Sequence, residues 1–161
     1  MNPPGAAEFK SAMRRVPTGV TVVTSLREHE PRGATVSAFA GVSADPPSVL
    51  ICVNREARTY LFIAASKIFC VNVLSLNQRD LAERFSGKLQ DDQFDGIAYR
   101  TEATGAAVLD GTIAYFDCEV VEELRAGSHS IFVGRVLACS GYAESPLGYF
   151  DGAFHDFQVR G

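Results

Sequence analysis

The sequence has no Cys-x-x-Cys pair, no histidines at metal-ligand spacing and no apolar run long enough to cross a bilayer. Its four cysteines, Cys52, Cys70, Cys118 and Cys139, are widely separated and each lies inside an apolar stretch. They are expected to be buried reduced thiols rather than disulfides or metal ligands. His29, His129 and His155 form neither His-x-x-x-His nor His-Glu-x-x-His, so no metal site is expected. A Gly-x-Ser-x-Gly nucleophile turn, a Gly-x4-Gly-Lys phosphate loop and a post-strand Gly-x-Gly-x-x-Gly are all missing. These absences narrow the field away from a nucleophile-turn hydrolase, a P-loop protein and a Rossmann nucleotide domain, and suit a reaction carried by an organic cofactor.

Clustered positive charge is also missing. The net charge is −4 and Arg14-Arg15 is the sole adjacent basic doublet, so neither nucleic acid nor an anionic membrane is an expected partner. Met1-Asn2-Pro3-Pro4 is a poor start for a signal peptide, and the longest apolar runs, such as Leu61 to Ala65, are short. The expectation is a soluble cytoplasmic protein. With 161 residues, 47% of them hydrophobic and 21% charged, the chain suits one folded domain spanning 1–161.

Phe9, Ala12, Met13 and Val16 repeat at i, i+3, i+4 and i+7 and predict a short helix laid on the core, ending before Pro17. Strands are predicted over Thr18–Leu26 and Gly33–Phe39, joined by the polar turn Glu28-His29-Glu30-Pro31. Asp45-Pro46-Pro47 breaks the chain before a strand over Ser48–Val53. Asn54 stands where a cap belongs, ahead of a helix over Arg55–Ser66. A strand over Ile68–Leu74 and a helix over Asn77–Phe85 stopped by Gly87 follow.

In the last third, Ala114, Phe116, Cys118, Val120 and Leu124 alternate with Tyr115, Asp117 and Glu119, predicting one dry and one polar face. Ala126-Gly127-Ser128 turns the chain into Ile131–Cys139, apolar on both faces except at Arg135, a strand needing cover from two sides. A partner subunit is a natural cover. Six or more strands with two or three helices read as a mainly β, antiparallel barrel with flanking helices.

Three segments are candidates for chemistry. From Arg32 to Phe39, and on through Val42-Ser43 to Pro47, small residues and hydroxyls let a planar ligand lie close to the backbone, although an ordinary small-residue strand has the same composition. Asn54 to Thr59 sits at a strand-to-helix junction, where free N–H groups with Arg58 and Thr59 suit a phosphate; a capped surface helix with solvated arginines reads equally well. Gly127-Ser128-His129 delivers a histidine to a strand start, for a ligand or for a structural hydrogen bond. His29 reads as solvated, His155 either as a partner of Asp156 or as packed near the site, and Asp91-Asp92 as a solvated acidic loop.

Taken in order, several stretches carry a resemblance. They are Thr18-Gly19-Val20-Thr21-Val22-Val23-Thr24, Gly33-Ala34-Thr35-Val36-Ser37-Ala38-Phe39 and Val42-Ser43-Ala44-Asp45-Pro46-Pro47. Cys52-Val53-Asn54, Phe69-Cys70-Val71-Asn72-Val73-Leu74, Arg84-Phe85-Ser86-Gly87, Gly127-Ser128-His129 and Pro146-Leu147-Gly148-Tyr149-Phe150 follow. The chain resembles the short flavin reductases that serve two-component flavin monooxygenases. The resemblance implies a Greek-key FMN-binding split β-barrel, a homodimer, and reduction of FMN or FAD by NADH or NADPH, with hydride passing from the nicotinamide to the flavin. The reduced flavin would leave for a separate oxygenase component.

It also implies roles for particular residues. Thr35, Val36, Ser37, Ala38 and Ser43 would line the isoalloxazine and ribityl chain, with Cys52 nearby; Asn54, Arg58 and Thr59 would meet the phosphate; Phe85 and Gly87 would lie close to the flavin. His129, the one residue given a catalytic role, would border the nicotinamide with Tyr149 and Phe150, positioning it or buffering a proton. The sequence departs from the family at Ala57, where a small hydroxyl residue is frequent, at Ser128, where an acidic residue is frequent, and at Gly105-Ala106-Ala107, which lacks a usual proline. Alternatives are a flavin-bound ferric reductase on the same barrel, a non-catalytic flavin-binding electron carrier, and a dimeric interaction module without flavin.

Overall fold

The computed structural model describes residues 1–87 and 91–160. In chain order these form α1 (Ala6–Met13), β1 (Thr18–Gly19), β2 (Thr21–Arg27), β3 (Glu30–Val36), β4 (Phe39–Ala44), β5 (Pro47–Asn54), α2 (Arg58–Ser66), β6 (Ile68–Val73), a 3-10 turn (Leu76–Gln78), α3 (Arg79–Ser86), β7 (Tyr99–Thr101), β8 (Ala107–Leu109), β9 (Ala114–Ala126), β10 (His129–Gly141), β11 (Leu147–Phe150) and β12 (Ala153–Asp156). The principal sheet is antiparallel, with strand order β3-β2-β6-β9-β10-β5-β4.

Connectivity closes this sheet into a barrel. β3 and β4 lie at opposite edges, yet only Ser37 and Ala38 join them. Three Cα steps reach about 11 Å, whereas the edges of a flat seven-stranded sheet would stand roughly 29 Å apart. The sheet must curl, and the carbonyl of Ala38 accepts from the Cys52 N–H at 3.0 Å, which seals the corner against β5.

Alternate residues of the strands fill the interior: Val23, Ile51, Phe69, Val71 and Phe132, joined by Ile63 from α2. Full burial of a side chain of this size contributes about 1.5–3 kcal/mol. Gly134 in β10 is required by that packing, because a Cβ there would stand 2.5 Å from the Phe69 ring and 2.8 Å from the Cys118 Cβ. A smaller sheet, β1-β11-β12, stands beside it, and β8 of the β7–β8 hairpin packs Val108 with Cys70 and Tyr115 on the outer face of β6 and β9.

Several expectations are corrected. α1 buries nothing: Phe9, Met13 and Val16 are all about half exposed, since the barrel is filled by its own strands. The Arg14 carbonyl instead accepts from the Asp151 N–H, and the Arg14 side chain pairs with Asp151, so the helix is tied to the β11–β12 turn through polar groups. The expected polar face of β9 is dry at Tyr115 and Asp117 because the loop from β7 to β8 folds over it. There Asp117, wholly buried, accepts from the N–H and the hydroxyl of Thr104.

α2 starts at Arg58, three residues later than the periodicity suggests. Asn54 caps a local turn rather than the helix, its side-chain oxygen accepting from the Glu56 N–H at 2.9 Å. Asp45-Pro46-Pro47 is not a break between unrelated segments but the tight turn of the β4–β5 hairpin. Cys70 and Cys118 are buried as expected, whereas Cys52 is half-buried and Cys139 exposed. β10 is covered on one face; on the other, Leu137 is 45% exposed. No helix among the described residues is long and apolar enough to cross a membrane.

Candidate functional site

A cavity of about 810 Å³ opens along the free edge of β3, between the first turn of α2, the end of α3 and the β11–β12 hairpin. An edge strand presents unpaired backbone groups, and natural folds rarely leave such an edge bare. Here one section is closed from within: the buried Gln93 side chain accepts from the Gly33 N–H at 3.0 Å and donates to the Gly33 carbonyl at 2.9 Å. The pleat repeats every two residues, so Thr35 turns its backbone groups to the same side, into the cavity wall. The Thr35 hydroxyl donates to the Ala82 carbonyl at 2.7 Å, which fixes β3 against α3.

The second wall is the start of α2. Its N-cap is Ala57, in an extended conformation and without a side-chain cap, so the first-turn N–H groups are not satisfied by the usual Ser, Thr, Asp or Asn oxygen. Arg58 and Thr59 occupy that turn, Thr59 buried to 6% exposure, Arg58 exposed. Unpaired N–H groups, a guanidinium and a hydroxyl in one helical turn make an anion-binding end. Phe85 and Gly87 close the third side, and Tyr149 with Phe154, their rings 5.6 Å apart, the fourth. Thr18, one residue before the wall residue Gly19, has a buried hydroxyl oxygen without a partner among the described residues.

The cavity therefore gathers Thr35, Val36, Ser37, Arg58, Thr59, Phe85, Gly87 and Tyr149 from the sequence-predicted set. Ala38, Ser43, Cys52, Asn54, His129 and Phe150 do not line it. Ala38 serves the barrel corner, and Ser43 stabilises the β4–β5 turn, its hydroxyl accepting from the Asp45 N–H at 3.1 Å. Cys52 pairs with Ile131, and Asn54 with His129, across the β5–β10 ladder. The His129 Nδ1 lies 2.8 Å from the Ser128 hydroxyl. Phe150 is covered by the Arg15 guanidinium at 4.6 Å.

Arg55, one of the arginines of a junction that could equally read as a solvated helix start, is a structural clasp, donating to the Gly127 and His129 carbonyls at 2.6 and 2.8 Å. Glu123 is a second clasp. It accepts from the Tyr60 hydroxyl of α2 at 2.9 Å and from the Ser130 hydroxyl of β10 at 2.8 Å. Those two hydrogen bonds hold its carboxyl below the usual carboxylate range. Gln93, Gly152 and Phe154 were not legible as site residues, since each depends on a long-range approach that no local pattern announces.

Among known proteins, the family model described as the flavin reductase like domain matches residues 13–158. The reductase subunit HsaB of a flavin-dependent monooxygenase from Mycobacterium tuberculosis is 37% identical over 132 residues, covering 82% of this chain and 70% of that one. The FMN reductase (NADH) RutF of Variovorax paradoxus is 36% identical over 152 residues, covering 93% and 84%. The solved structure of the Streptomyces globisporus NADH:FAD oxidoreductase SgcE6 superposes with a TM-score of 0.92 at 33% identity, covering 99% of this chain and 97% of that one. Fold, cavity and sequence agree, and the chain belongs to the flavin reductase-like family.

Proposed function

We propose that this protein is an NAD(P)H-dependent flavin reductase that supplies reduced FMN or FAD to a separate oxygenase. The observation that carries the reading is the placement of an uncapped, Arg58- and Thr59-bearing helix start beside a free strand edge, in one cavity. A flavin mononucleotide has the matching parts, a planar ring with a polar edge and a phosphate tail. Bound there, it supplies the centre that accepts a hydride from the nicotinamide.

The residues of the chain do the rest by holding and shielding. Backbone groups of β3 meet the polar edge of the ring, and donors fixed there favour the charge that reduction brings to it. Arg58, Thr59 and the first-turn N–H groups hold the phosphate. Phe85 and Val36 present apolar surface to the ring. Tyr149 borders the space left for the nicotinamide, and orientation of the two rings in contact lowers the barrier without a protein nucleophile.

His129 is proposed to bear on the nicotinamide side through Nε2. It stands outside the cavity of its own chain, so a second copy is the natural route to the site. A homodimer would also cover the apolar side chains left exposed at Val42, Val121, Leu124 and Leu137. A reaction drawing on NAD(P)H suits the cytoplasm, where that donor is kept.

The test is the fall in NADH or NADPH absorbance on adding FMN or FAD. Turnover that requires flavin supports the reading; no consumption of either donor with either flavin overturns it.

A further inference from the structure

Gly33 and Thr35 both border the cavity on the free edge of β3, about 7 Å apart along the strand. Each turns a backbone N–H and C=O away from β2, so the two positions are chemically alike. Their partners differ. Thr35 presents its pair to the cavity, whereas the Gly33 N–H donates to the Gln93 side-chain oxygen at 3.0 Å and the Gly33 C=O accepts from the Gln93 amide at 2.9 Å.

A primary amide supplies one acceptor and one donor side by side. The imide edge of a flavin ring has the same pattern, a carbonyl oxygen next to N3–H. Gln93 thus makes at Gly33 the pair of bonds that the ring would make at Thr35.

Gln93 is also held firmly. It is 5% exposed, and Arg84 of α3 donates to the carbonyls of Asp92, Gln93 and Asp95 at 3.0, 2.8 and 2.9 Å, fastening the loop that carries it. The same helix fixes both strand positions. Its Ala82 carbonyl accepts from the Thr35 hydroxyl, and its Phe85 ring lies against Gly33.

We propose that Gln93 is a positioning residue that confines the flavin to Thr35 by occupying the equivalent place at Gly33. This rests on the flavin reading of the cavity. Without the Gln93 amide, the strand offers the imide edge two docking positions, and the free rotations of the ribityl chain let the ring reach either from a phosphate held at Arg58 and Thr59. Only the position at Thr35 sets the ring where a nicotinamide beside Tyr149 meets it. Selection of this kind works by closing the wrong place rather than by strengthening the right one. Arg84 acts one step further back, holding the loop that holds the amide.

The experiment compares wild type, Gln93→Ala and Arg84→Met by calorimetric titration of FMN and FAD, and by NAD(P)H consumption at varied flavin. A second docking position adds bound states that do not react, so kcat and the KM for flavin fall by one common factor and kcat/KM is kept. Two positions of equal affinity make that factor about two, and a better one at Gly33 makes it larger. The expected result for Gln93→Ala is therefore tighter flavin binding with slower turnover: Kd, KM and kcat all fall together. Arg84→Met keeps the amide but loosens its loop; it is expected to move the same quantities in the same direction by less, and it carries the test if Gln93→Ala does not fold. A raised Kd or KM, or a lowered kcat/KM, overturns the proposal, because a wall that is merely loosened loses affinity. Values equal to wild type in both variants overturn it as well. If wild type consumes neither donor with either flavin, the flavin reading itself fails; failure of this proposal alone leaves wild-type turnover in place.

Discussion

The Phe85 ring lies 3.1 Å from the point where a Cβ on Gly33 would stand. Phe85 lies in the last turn of α3 and Gly33 in the edge strand β3, so this contact sets how closely helix and strand approach beside the cavity. Gln93 grips the same glycine from its backbone side.

Gly33→Ala forces the ring or the strand to give by a few tenths of an ångström. The expected cost is about 1 kcal/mol in stability, in the lower range for overpacking, with a several-fold rise in KM for flavin. Gly33→Val is expected to do more of both. Thermal unfolding and flavin titration of the two variants check it.

Gly134→Ala makes a sharper case. Its Cβ would overlap the Phe69 ring and Cys118, both in the packed barrel interior. A loss of about 1–3 kcal/mol is expected, seen as a lower midpoint in urea, with flavin affinity of the folded fraction unchanged.

The Glu28–His29 turn gives a change of opposite sign. Replacing the pair by Asn-Gly removes two left-handed non-glycine residues, each costing about 1 kcal/mol or more, and is expected to raise Tm by a few degrees. Affinity for flavin is expected to hold, since neither residue lines the cavity along β3. Calorimetry of the double variant reads both.

Glu123 contributes a pH dependence. Its carboxyl titrates below the usual range because Ser130 and Tyr60 donate to the ionised form. The stabilisation is therefore full above the unfolded carboxylate value of about 4.3 and is lost as pH falls through the lower folded value. Glu123→Gln is expected to be less stable than wild type at pH 7, with the difference shrinking below pH ~4. Urea unfolding at the two pH values checks it.

Much of the fold was legible because the strands are dense in Val and Thr and are punctuated by turns, found at Glu28-His29 and Gly127-Ser128. The junction proposed to hold the phosphate was legible as a strand end followed by a helix, and the structure places its Arg58 and Thr59 in the first turn of α2. Burial of Asp117 was not, because its partner Thr104 sits on a loop that folds back over the sheet, and alternation reports only one strand at a time. The periodic apolar residues of α1 misled for a related reason: amphipathicity marks a face that can be covered, without saying what covers it. His129 and Phe150 carry the family's pattern in sequence, yet the single chain does not bring them to the cavity.

The most direct measurement is NADH consumption as a function of flavin concentration for wild type, Thr59→Ala and Thr59→Ser. Thr59 is buried at the start of α2, on the cavity wall. A KM for flavin raised about tenfold in the alanine variant, for one charge-assisted hydrogen bond, with kcat nearly kept and with recovery in the serine variant, is the expected result. Equal KM values in all three proteins would contradict a flavin phosphate at this helix, and no flavin-dependent consumption in the wild type would contradict the reductase itself.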